Sequence, residues 1–282
     1  MEKFDTEIYS KKVLKTIRKY RLVENGDKIF IGLSGGKDSA SAGYFISKYV
    51  KENNVKCDII GFHIILGDFI PKDVEKTARK QAEIFGIPFK TIELKNLGID
   101  MEKISKLPRP VCSSCGTIKR YLMNKIPREM GGNKLCTGHH ADDFIVFFFK
   151  NILGGNISWI SKFTPLLPGR NKSIARIRPL FFVGGNENKK FCDALKIPYI
   201  EENACPYISI KKRIDKRREK WYETVESISR WQPNFRYQMM NGIISLSSHL
   251  YSNLTEPKEC KICGEPTDGE ICAFCKILKE IK

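Results

Sequence analysis

The sequence predicts an α/β fold built on a parallel sheet with helices on both faces. Short apolar runs alternate with longer segments of helical periodicity. Such alternation is typical of parallel strands that are joined by crossover helices. We expect strands at 28–33, 57–65, 89–94 and 134–137, and helices at 6–21, 38–50, 71–86 and 119–129.

The pattern changes after residue 154. A proline- and glycine-rich region precedes a predicted helix at 186–195, two helices are expected between residues 209 and 248, and a cysteine-rich tail follows. We therefore expect an N-terminal helix in 1–25, a nucleotide-binding catalytic domain in 26–205, a basic helical extension in 206–255 and a small metal-binding domain in 256–282.

Composition limits the function. The 49 lysines and arginines exceed the 32 aspartates and glutamates, and the formal charge of +17 favours a polyanionic partner. No apolar stretch approaches the roughly 18 residues of a membrane span, and the first residues lack a secretory signal. We expect a cytoplasmic protein with no membrane partner. Its ten cysteines at short spacings then indicate metal ligands or redox groups rather than disulfides.

The segment 34–39 reads Ser-Gly-Gly-Lys-Asp-Ser and lies where a buried strand turns into a helix. Glycines at this point let backbone N–H groups approach an anion, and the helix N-terminus adds partial positive charge. The spacing is not that of a Walker loop, because Asp38 follows Lys37 where Ser or Thr would hold magnesium. A kinase or GTPase is disfavoured, and an ordinary glycine turn is the alternative.

This segment resembles the PP-loop signature of the ATP pyrophosphatases. The resemblance implies an adenine nucleotide alpha hydrolase-like core, in which the enzyme adenylates a carbonyl oxygen, releases pyrophosphate and lets a nucleophile displace AMP. His63, at the end of the second strand, would face the adenine, although a hydrogen-bonded edge histidine is the alternative. The residues implied to hold the phosphates of ATP are Ser34, Gly35, Gly36, Lys37, Asp38 and Ser39.

A second polar group follows the fourth strand and reads Gly-His-His-Ala-Asp-Asp at 138–143. Carboxylates there complement a helix dipole or, at the carboxyl end of a parallel strand, face the ligand crevice, where they suit Mg²⁺ binding and proton transfer. The group resembles the Gly-His-x-x-Asp-Asp motif of PP-loop enzymes that modify tRNA. It implies that Gly138 and His139 bind ATP and that Asp142 and Asp143 are catalytic.

The motif departs from its relatives after the aspartates. Where relatives usually continue with Glu or Gln and then Thr, this chain has Val146 and Phe147.

Cys112 and Cys115 form a Cys-x-x-Cys pair, and Cys205 lies far along the chain. The pair alone is ambiguous between metal ligands and a redox dithiol, because structural zinc needs four ligands. The order Cys-Ser-x-Cys-Gly-x-x-Lys-Arg, followed much later by Cys-Pro, resembles the TtuA/TtcA family of tRNA thiolation enzymes. It implies that the three cysteines ligate a 4Fe-4S cluster with one iron free of protein ligands, and that Lys119 lies at the active site.

A second cysteine set forms two Cys-x-x-Cys pairs near the C-terminus: Cys260, Cys263, Cys272 and Cys275. Four thiolates at these spacings can surround Zn²⁺ tetrahedrally, with a second iron–sulfur cluster as the alternative. The set resembles the C-terminal zinc ribbon of the 2-thiouridine synthetase branch. The other cysteines, Cys57, Cys136 and Cys192, lie in apolar contexts and are expected to pack in the core.

The basic run 211–220 is followed by Trp221, Tyr222 and Trp231, a mixture that suits RNA phosphates and bases, whereas a solvated helix face is the alternative. Taken together, the resemblance implies ATP- and Mg²⁺-dependent 2-thiolation of tRNA: the C2 oxygen of a uridine is adenylated and cluster-bound sulfur replaces AMP. It also implies a homodimer and a sulfur donor, either sulfide or a thiocarboxylated carrier protein.

Two alternatives remain at the level of sequence. One is a PP-loop amide synthetase or a lysidine-type tRNA ligase, and the other is a non-catalytic RNA-binding module. The tRNA position, whether a T-loop uridine, a wobble uridine or an anticodon-loop cytidine, stays open.

Overall fold

The computed structural model describes residues 4–67, 70–201, 205, 216–251 and 256–281. Within these ranges the strands are β1 (Lys28–Gly32), β2 (Asp58–Ile65), β3 (Phe89–Glu93), β4 (Lys134–Cys136), β5 (Leu166–Leu167), β6 (Ala175–Ile177), β7 (Lys258–Glu259) and β8 (Pro266–Thr267). The α-helices are α1 (Thr6–Lys19), α2 (Lys37–Glu52), α3 (Lys72–Phe85), α4 (Met101–Ser105), α5 (Val111–Glu129), α6 (Ala141–Leu153), α7 (Gly185–Ala194), α8 (Lys216–Trp231), α9 (Phe235–Tyr251) and α10 (Ala273–Glu280).

The main sheet has the strand order β3-β2-β1-β4-β6-β5. All neighbouring strands run parallel except β5, which is antiparallel to β6. The parallel α/β fold class is therefore confirmed. In β1, Ile31 pairs with Gly61 of β2 and with Cys136 of β4, so β1 and β4 end side by side. Their residues are buried on both faces, as expected for a sheet covered by helices.

One face of the sheet is covered by α1, α2 and α7. The rings of Tyr9, Phe45 and Phe191, one from each helix, lie with centroids 4.8 to 5.6 Å apart. Cys136 and Cys192 are buried in this core, and Cys57 packs against it, as the sequence predicts. Burial raises the pKa of Cys192 to about 11, which keeps this thiol protonated and unreactive.

The C-terminal cysteine-rich unit packs against α5. Phe274 of α10 stacks on Tyr121 of α5, with ring centroids 3.7 Å apart. Glu265, which is 4% exposed, accepts hydrogen bonds from Arg128 and from Asn124 of the same helix. Apolar and charged contacts thus fix the unit against the core. Elsewhere, α6, α8, α9 and the 3-10 helix Ile157–Lys162 enclose a separate apolar cluster.

Some elements differ from the sequence prediction. Helix α5 begins at Val111, directly after Pro110, rather than at residue 119, because its polar first turns carry no apolar periodicity. The short elements α4, β5 and β6 were not predicted. The predicted helical region 209–248 is described from Lys216 onward, and its first residues lie outside the described ranges. No helix within the described ranges combines the length and apolarity needed to cross a bilayer.

Replacing Arg128 with alanine should lower the free energy of unfolding by about 2 to 3 kcal/mol, because it leaves the buried Glu265 carboxylate without its guanidinium partner. Thermal denaturation measures the effect. Lys261→Ala is the control, because its ion pair with Glu270 is exposed and should contribute well under about 1 kcal/mol. Equal losses in the two variants would contradict the proposed docking contact.

Candidate functional site

The loop 34–39 connects β1 to α2 and is held by its own serines. The backbone N–H of Ser34 donates to Ser39 Oγ at 3.1 Å, and the N–H of Gly36 donates to Ser34 Oγ at 3.3 Å. Gly35 has a φ of +79°, and a Cβ there would lie 2.9 Å from the Val74 carbonyl oxygen, so only glycine fits. Helix α2 starts without a side-chain cap. Its first N–H groups can therefore bind an anion.

Asp38 is oriented by a chain of buried polar groups that the sequence did not reveal. Its Oδ1 accepts a hydrogen bond from Asn188 Nδ2 at 2.8 Å, and Asn188 Oδ1 accepts one from the Tyr9 hydroxyl at 2.6 Å. Its other oxygen lies 2.9 Å from the Lys37 ammonium. Helices α1 and α7 thus fix the Asp38 carboxylate of the loop 34–39, which we call the phosphate loop.

The loop after β4 touches the loop after β1 through the backbone. A Cβ on Gly138 would lie 2.6 Å from both the carbonyl carbon of Asp38 and the backbone nitrogen of Ser39. No side chain fits there, so the two sequence motifs meet at glycine. This contact brings the loop 34–39 and the segment 138–143 into one site.

The two histidines of the second motif have different environments. His139 Nδ1 lies 3.0 Å from Thr137 Oγ1, and burial, with a smaller contribution from Arg178, lowers the pKa of His139 to about 4. It is therefore neutral at physiological pH. His140, which we did not single out from the sequence, lies among Asp38, Asp142 and Asp143, with ring nitrogens 3.6 to 3.9 Å from their carboxylate oxygens.

Asp142 is bound by two segments outside its own loop. Its Oδ1 accepts a hydrogen bond from Arg236 Nε at 2.6 Å, and its Oδ2 accepts one from the backbone N–H of Gly185 at 2.9 Å. The Arg236 guanidinium also donates to Glu226. These contacts join α6, α7, α8 and α9 and commit the Asp142 carboxylate to protein partners.

Asp143 accepts hydrogen bonds from the Tyr222 hydroxyl of α8 and from the backbone N–H of His140, the latter at 3.2 Å. Burial alone would raise the pKa of Asp143. The His140 ring, together with these hydrogen bonds, outweighs burial and lowers that pKa. Asp143 is therefore ionised and faces the cavities beside the phosphate loop.

Two cavities open over the motifs. The larger, 730 Å³, lies between the motifs and α8 and is lined by Lys37, Asp38, His140, Asp142, Asp143, Gly185, Asn186, Tyr222, Glu223, Glu226, Ser227 and Arg230. The smaller, 290 Å³, we call the loop cavity; it is lined by Gly32, Ser34, Asp38, Ser39, Met123, Thr137, Gly138, His139, Asp143 and Phe147. Asp38 and Asp143 line both.

His63 lies at the end of β2 and is buried. Its Nδ1 donates to the Leu33 carbonyl oxygen at 2.7 Å, and burial lowers its pKa. This contact matches the hydrogen-bonded edge histidine that the sequence left as an alternative. The nearby Lys119 ammonium lowers the pKa of His63 further, which places the end of β2 close to α5.

Cys205, from a distant segment of the chain, lies close enough to α5 to affect the pKa of Cys115. Cys112 and Cys115 lie in the first turns of α5, with Cys112 exposed and Cys115 half-buried. Burial raises the pKa of Cys115, Lys119 lowers it, and Cys205 and Cys112 each raise it. Cys205 and Lys119 are therefore electrostatic neighbours of the pair. This set is suited to hold a cluster that soft thiolates ligate.

The C-terminal cysteines form the tightest thiol group in the described ranges. The Sγ atoms of Cys260, Cys263, Cys272 and Cys275 all lie within 4.8 Å of one another. Backbone N–H groups support them: Cys272 N donates to Cys260 Sγ at 3.2 Å, and Cys275 N donates to Cys272 Sγ at 3.4 Å. Four thiolates in this arrangement suit a tetrahedral metal ion, as in a zinc ribbon.

Replacing Tyr222 with phenylalanine should raise the pKa of Asp143, because the hydroxyl stabilises the ionised carboxylate. A carboxylate with a lowered pKa binds Mg²⁺ down to lower pH. If Asp143 binds Mg²⁺, the acidic limb of Mg²⁺-dependent nucleotide binding should therefore move to higher pH in Tyr222→Phe. Fluorescent-nucleotide titrations across pH measure it. Tyr237→Phe is the control on α9, and coincident profiles for wild type and Tyr222→Phe would refute the role.

Comparison with known proteins identifies relatives of this chain. Residues 6–214 match the family described as the PP-loop domain. A Pyrococcus horikoshii protein named tRNA-5-methyluridine(54) 2-sulfurtransferase is 33% identical over 96% of this chain and 84% of its own length. A Thermotoga maritima protein of the same name is 28% identical over 98% of this chain and 88% of its own length.

A solved structure extends the likeness to three dimensions. The U34-tRNA thiolase NcsA from Methanococcus maripaludis, solved with its 4Fe-4S cluster, matches 97% of this chain and 88% of its own chain with a TM-score of 0.79 and 25% identity. The family match, the sequence relatives and this structure confirm the family resemblance that the sequence motifs indicate. The chain therefore belongs to the PP-loop family, in the group that includes the tRNA 2-sulfurtransferases.

Proposed function

We propose that this protein replaces the C2 oxygen of a tRNA uridine with sulfur in a reaction that consumes ATP. One observation carries the proposal. The backbone contact at Gly138 brings the loop 34–39 and the Asp142–Asp143 motif together at the carboxyl edge of the sheet. In addition, Lys119 lowers the pKa of His63, at the end of β2, and of Cys115, on α5. The names of the relatives support it: the Pyrococcus and Thermotoga proteins are named for uridine 54 and the Methanococcus structure for U34, both uridines.

ATP activates the base in the first half of the proposed reaction. The N–H groups at the start of α2 and the Lys37 ammonium would hold its phosphates, and the carboxyl groups of Asp38 and Asp143 are suited to hold Mg²⁺ against them. The C2 oxygen of uridine attacks the α-phosphorus of ATP, so that a bond from oxygen to AMP forms and pyrophosphate leaves. The partial positive charge at the uncapped N-terminus of α2 favours the charge that develops on the leaving pyrophosphate.

Sulfur replaces the activated oxygen in the second half. A sulfur nucleophile attacks C2, the C2–O bond breaks and AMP leaves with the oxygen. Cys112, Cys115 and Cys205 would ligate a 4Fe-4S cluster: they are thiols, the ligands that iron–sulfur clusters use, and Cys205 lies close enough to affect the pKa of Cys115. When bound, the cluster would supply an iron without a protein ligand on which sulfur can be held. Lys119 favours the thiolate form of Cys115.

Other parts of the chain are suited to bind RNA and a structural metal. The cavity of 730 Å³ opens between the motifs and α8, where Arg230 lines it, and Trp231 at the end of α8 is 71% exposed. The predicted basic run begins at 211, and its residues up to 215 lie outside the described ranges. We also propose that the Cys260–Cys275 group holds Zn²⁺, which would fix the ribbon against α5.

Thiolation should be measured by mass spectrometry of nucleosides from tRNA incubated anaerobically with reconstituted protein, ATP, Mg²⁺ and sulfide. We expect a 2-thiouridine-type nucleoside in wild type and a loss of about 100-fold or more in Cys112→Ala, because the cluster loses a ligand. ATP binding should be retained in that variant, since Cys112 lines neither cavity described above.

Cys57→Ala is the matched control, because this thiol packs against the core beneath the sheet and is expected to play no part in catalysis. Its thiolation rate should match that of wild type. Full thiolation by Cys112→Ala would contradict the proposed role of the cysteines. Formation of lysidine, or of no modified nucleoside, by the wild-type protein would contradict the proposed reaction.

A further inference from the structure

A third cavity adjoins the loop cavity and has no role in the reaction above. It has a volume of 350 Å³ and lies between α5, α6 and the 3-10 helix Ile157–Lys162. It shares four lining residues with the loop cavity: Met123, Thr137, His139 and Phe147. We call it the arginine cavity, because its other lining residues include Arg120, Arg176 and Arg178.

The arginine cavity is strongly cationic. Lys162 joins the three arginines, and no aspartate or glutamate is found among the described residues that line it. Arg178 is fixed by hydrogen bonds to the carbonyl oxygens of Lys162 and Thr164, at 2.8 and 2.6 Å. Burial lowers the pKa of Arg178 to about 9, with Arg176 adding to the effect. Like charges held this close in a partly buried space are unfavourable until an anion enters.

Arg120 and Arg176 are the groups that an anion would meet. Among the described residues, no carboxylate lies within ion-pair distance of either side chain. Burial lowers the pKa of Arg176, and the charge of Arg120 lowers it further, so the two guanidinium groups are neighbours. Two planar, uncompensated guanidinium groups that face one cavity match the oxygens of a phosphate.

Aromatic rings line the same cavity. Phe147 lies on the wall that it shares with the loop cavity, and Phe163 packs near it with ring centroids 6.4 Å apart. Trp159 is 51% exposed at the cavity, with the Lys162 ammonium 4.4 Å from its ring centroid. Rings next to phosphate-binding cations are the combination with which proteins bind an unstacked nucleotide. An inorganic anion would need no such rings.

We propose that the arginine cavity binds one unstacked nucleotide of the RNA substrate, with its phosphate at Arg120 and Arg176 and its base against Phe147 and Trp159. The choice of RNA as the source rests on the proposed function. The shared wall would place this nucleotide directly beside bound ATP. It also gives a use to Phe147, which lines both cavities, because a ring there can stack on a base.

The test uses 5′-UMP as the probe and Trp159 as the reporter. The chain has three tryptophans, so the Trp221→Phe/Trp231→Phe background leaves Trp159 as the fluorescent one. The phosphate loop is first saturated with a non-hydrolysable ATP analogue. We expect UMP to quench Trp159, and Arg176→Gln to weaken UMP binding by about tenfold or more, because a charge-assisted phosphate contact is lost. Uridine without phosphate should bind wild type as weakly as UMP binds Arg176→Gln.

Lys125→Gln is the control, since it also removes one positive charge but at a half-buried side chain of α5 that pairs with Glu129 and does not line the cavity. It should leave UMP affinity unchanged. Unaltered affinity for the ATP analogue shows that Arg176→Gln is folded, and Arg176→Lys should recover part of the UMP affinity.

Several outcomes would overturn the proposal: UMP binding that Arg176→Gln and Arg120→Gln leave unchanged, competition between UMP and the ATP analogue, or equal binding of inorganic phosphate and UMP. Tighter binding of a peptide carboxylate than of UMP would assign the cavity to a protein partner instead. The measurement requires no turnover. Failure to thiolate tRNA would therefore not contradict the nucleotide site in the arginine cavity, and failure to bind UMP would not contradict the proposed thiolation.

Discussion

The backbone contact at Gly138 is the constraint on which the site depends. Strands β1 and β4 are neighbours in register, so their loops leave the sheet side by side. They can approach closely enough to form one site because residue 138 has no side chain between them. Helices α2 and α6 then both start at this point. The N-terminus of α2 has no side-chain cap and directs partial positive charge at this space, whereas α6 begins with Asp142 and Asp143. An anionic ligand such as a nucleotide phosphate is what this arrangement stabilises.

The carboxylates of the site are held by segments remote in sequence. Asn188 and Tyr9 orient Asp38, Arg236 binds Asp142, and the Tyr222 hydroxyl donates to Asp143. Buried carboxylates are costly unless they accept hydrogen bonds, and charge-assisted bonds of this kind contribute roughly 1.5 to 3 kcal/mol each. A consequence is mechanical coupling. The N-terminal helix and the helical pair α8 and α9 cannot shift without moving the carboxylates that we propose act on ATP and magnesium.

Sequence patterns revealed the features whose signal is local. The loop 34–39, the motif 138–143 and the three Cys-x-x-Cys pairs each lie within a few residues. The apolar runs of β1, β2 and β4 are distinctive because they are buried on both faces or nearly so. Helix α5 was placed too late, because the segment around Cys112 and Cys115 is polar and lacks apolar periodicity. Strands β5 and β6, with two and three residues, are too short to show alternation.

The residues that orient the site carboxylates could not be predicted from the sequence for a different reason. Tyr9 and Asn188 are 179 positions apart, and Arg236 and Asp142 are 94 apart, so no window of the sequence contains both partners. The same holds for the arginine cavity, whose cations come from α5, β6 and the 3-10 helix. The Gly-His-x-x-Asp-Asp resemblance selects His139, and nothing in the sequence indicates that the His140 ring lies among the carboxylates. Only the fold supplies that information.

The affinity of Gly138→Ala for a non-hydrolysable ATP analogue, compared with that of Gly242→Ala, tests most directly whether the contact at Gly138 builds the nucleotide site. A methyl group at 138 would meet the backbone of Asp38 and Ser39, whereas one at 242 meets nothing within 4 Å. We predict that Gly138→Ala keeps its fold but binds the analogue at least about tenfold more weakly, because the two loops are forced apart. Gly242→Ala should bind like wild type. Wild-type affinity in a folded Gly138→Ala would show that the contact between the loops does not build the nucleotide site.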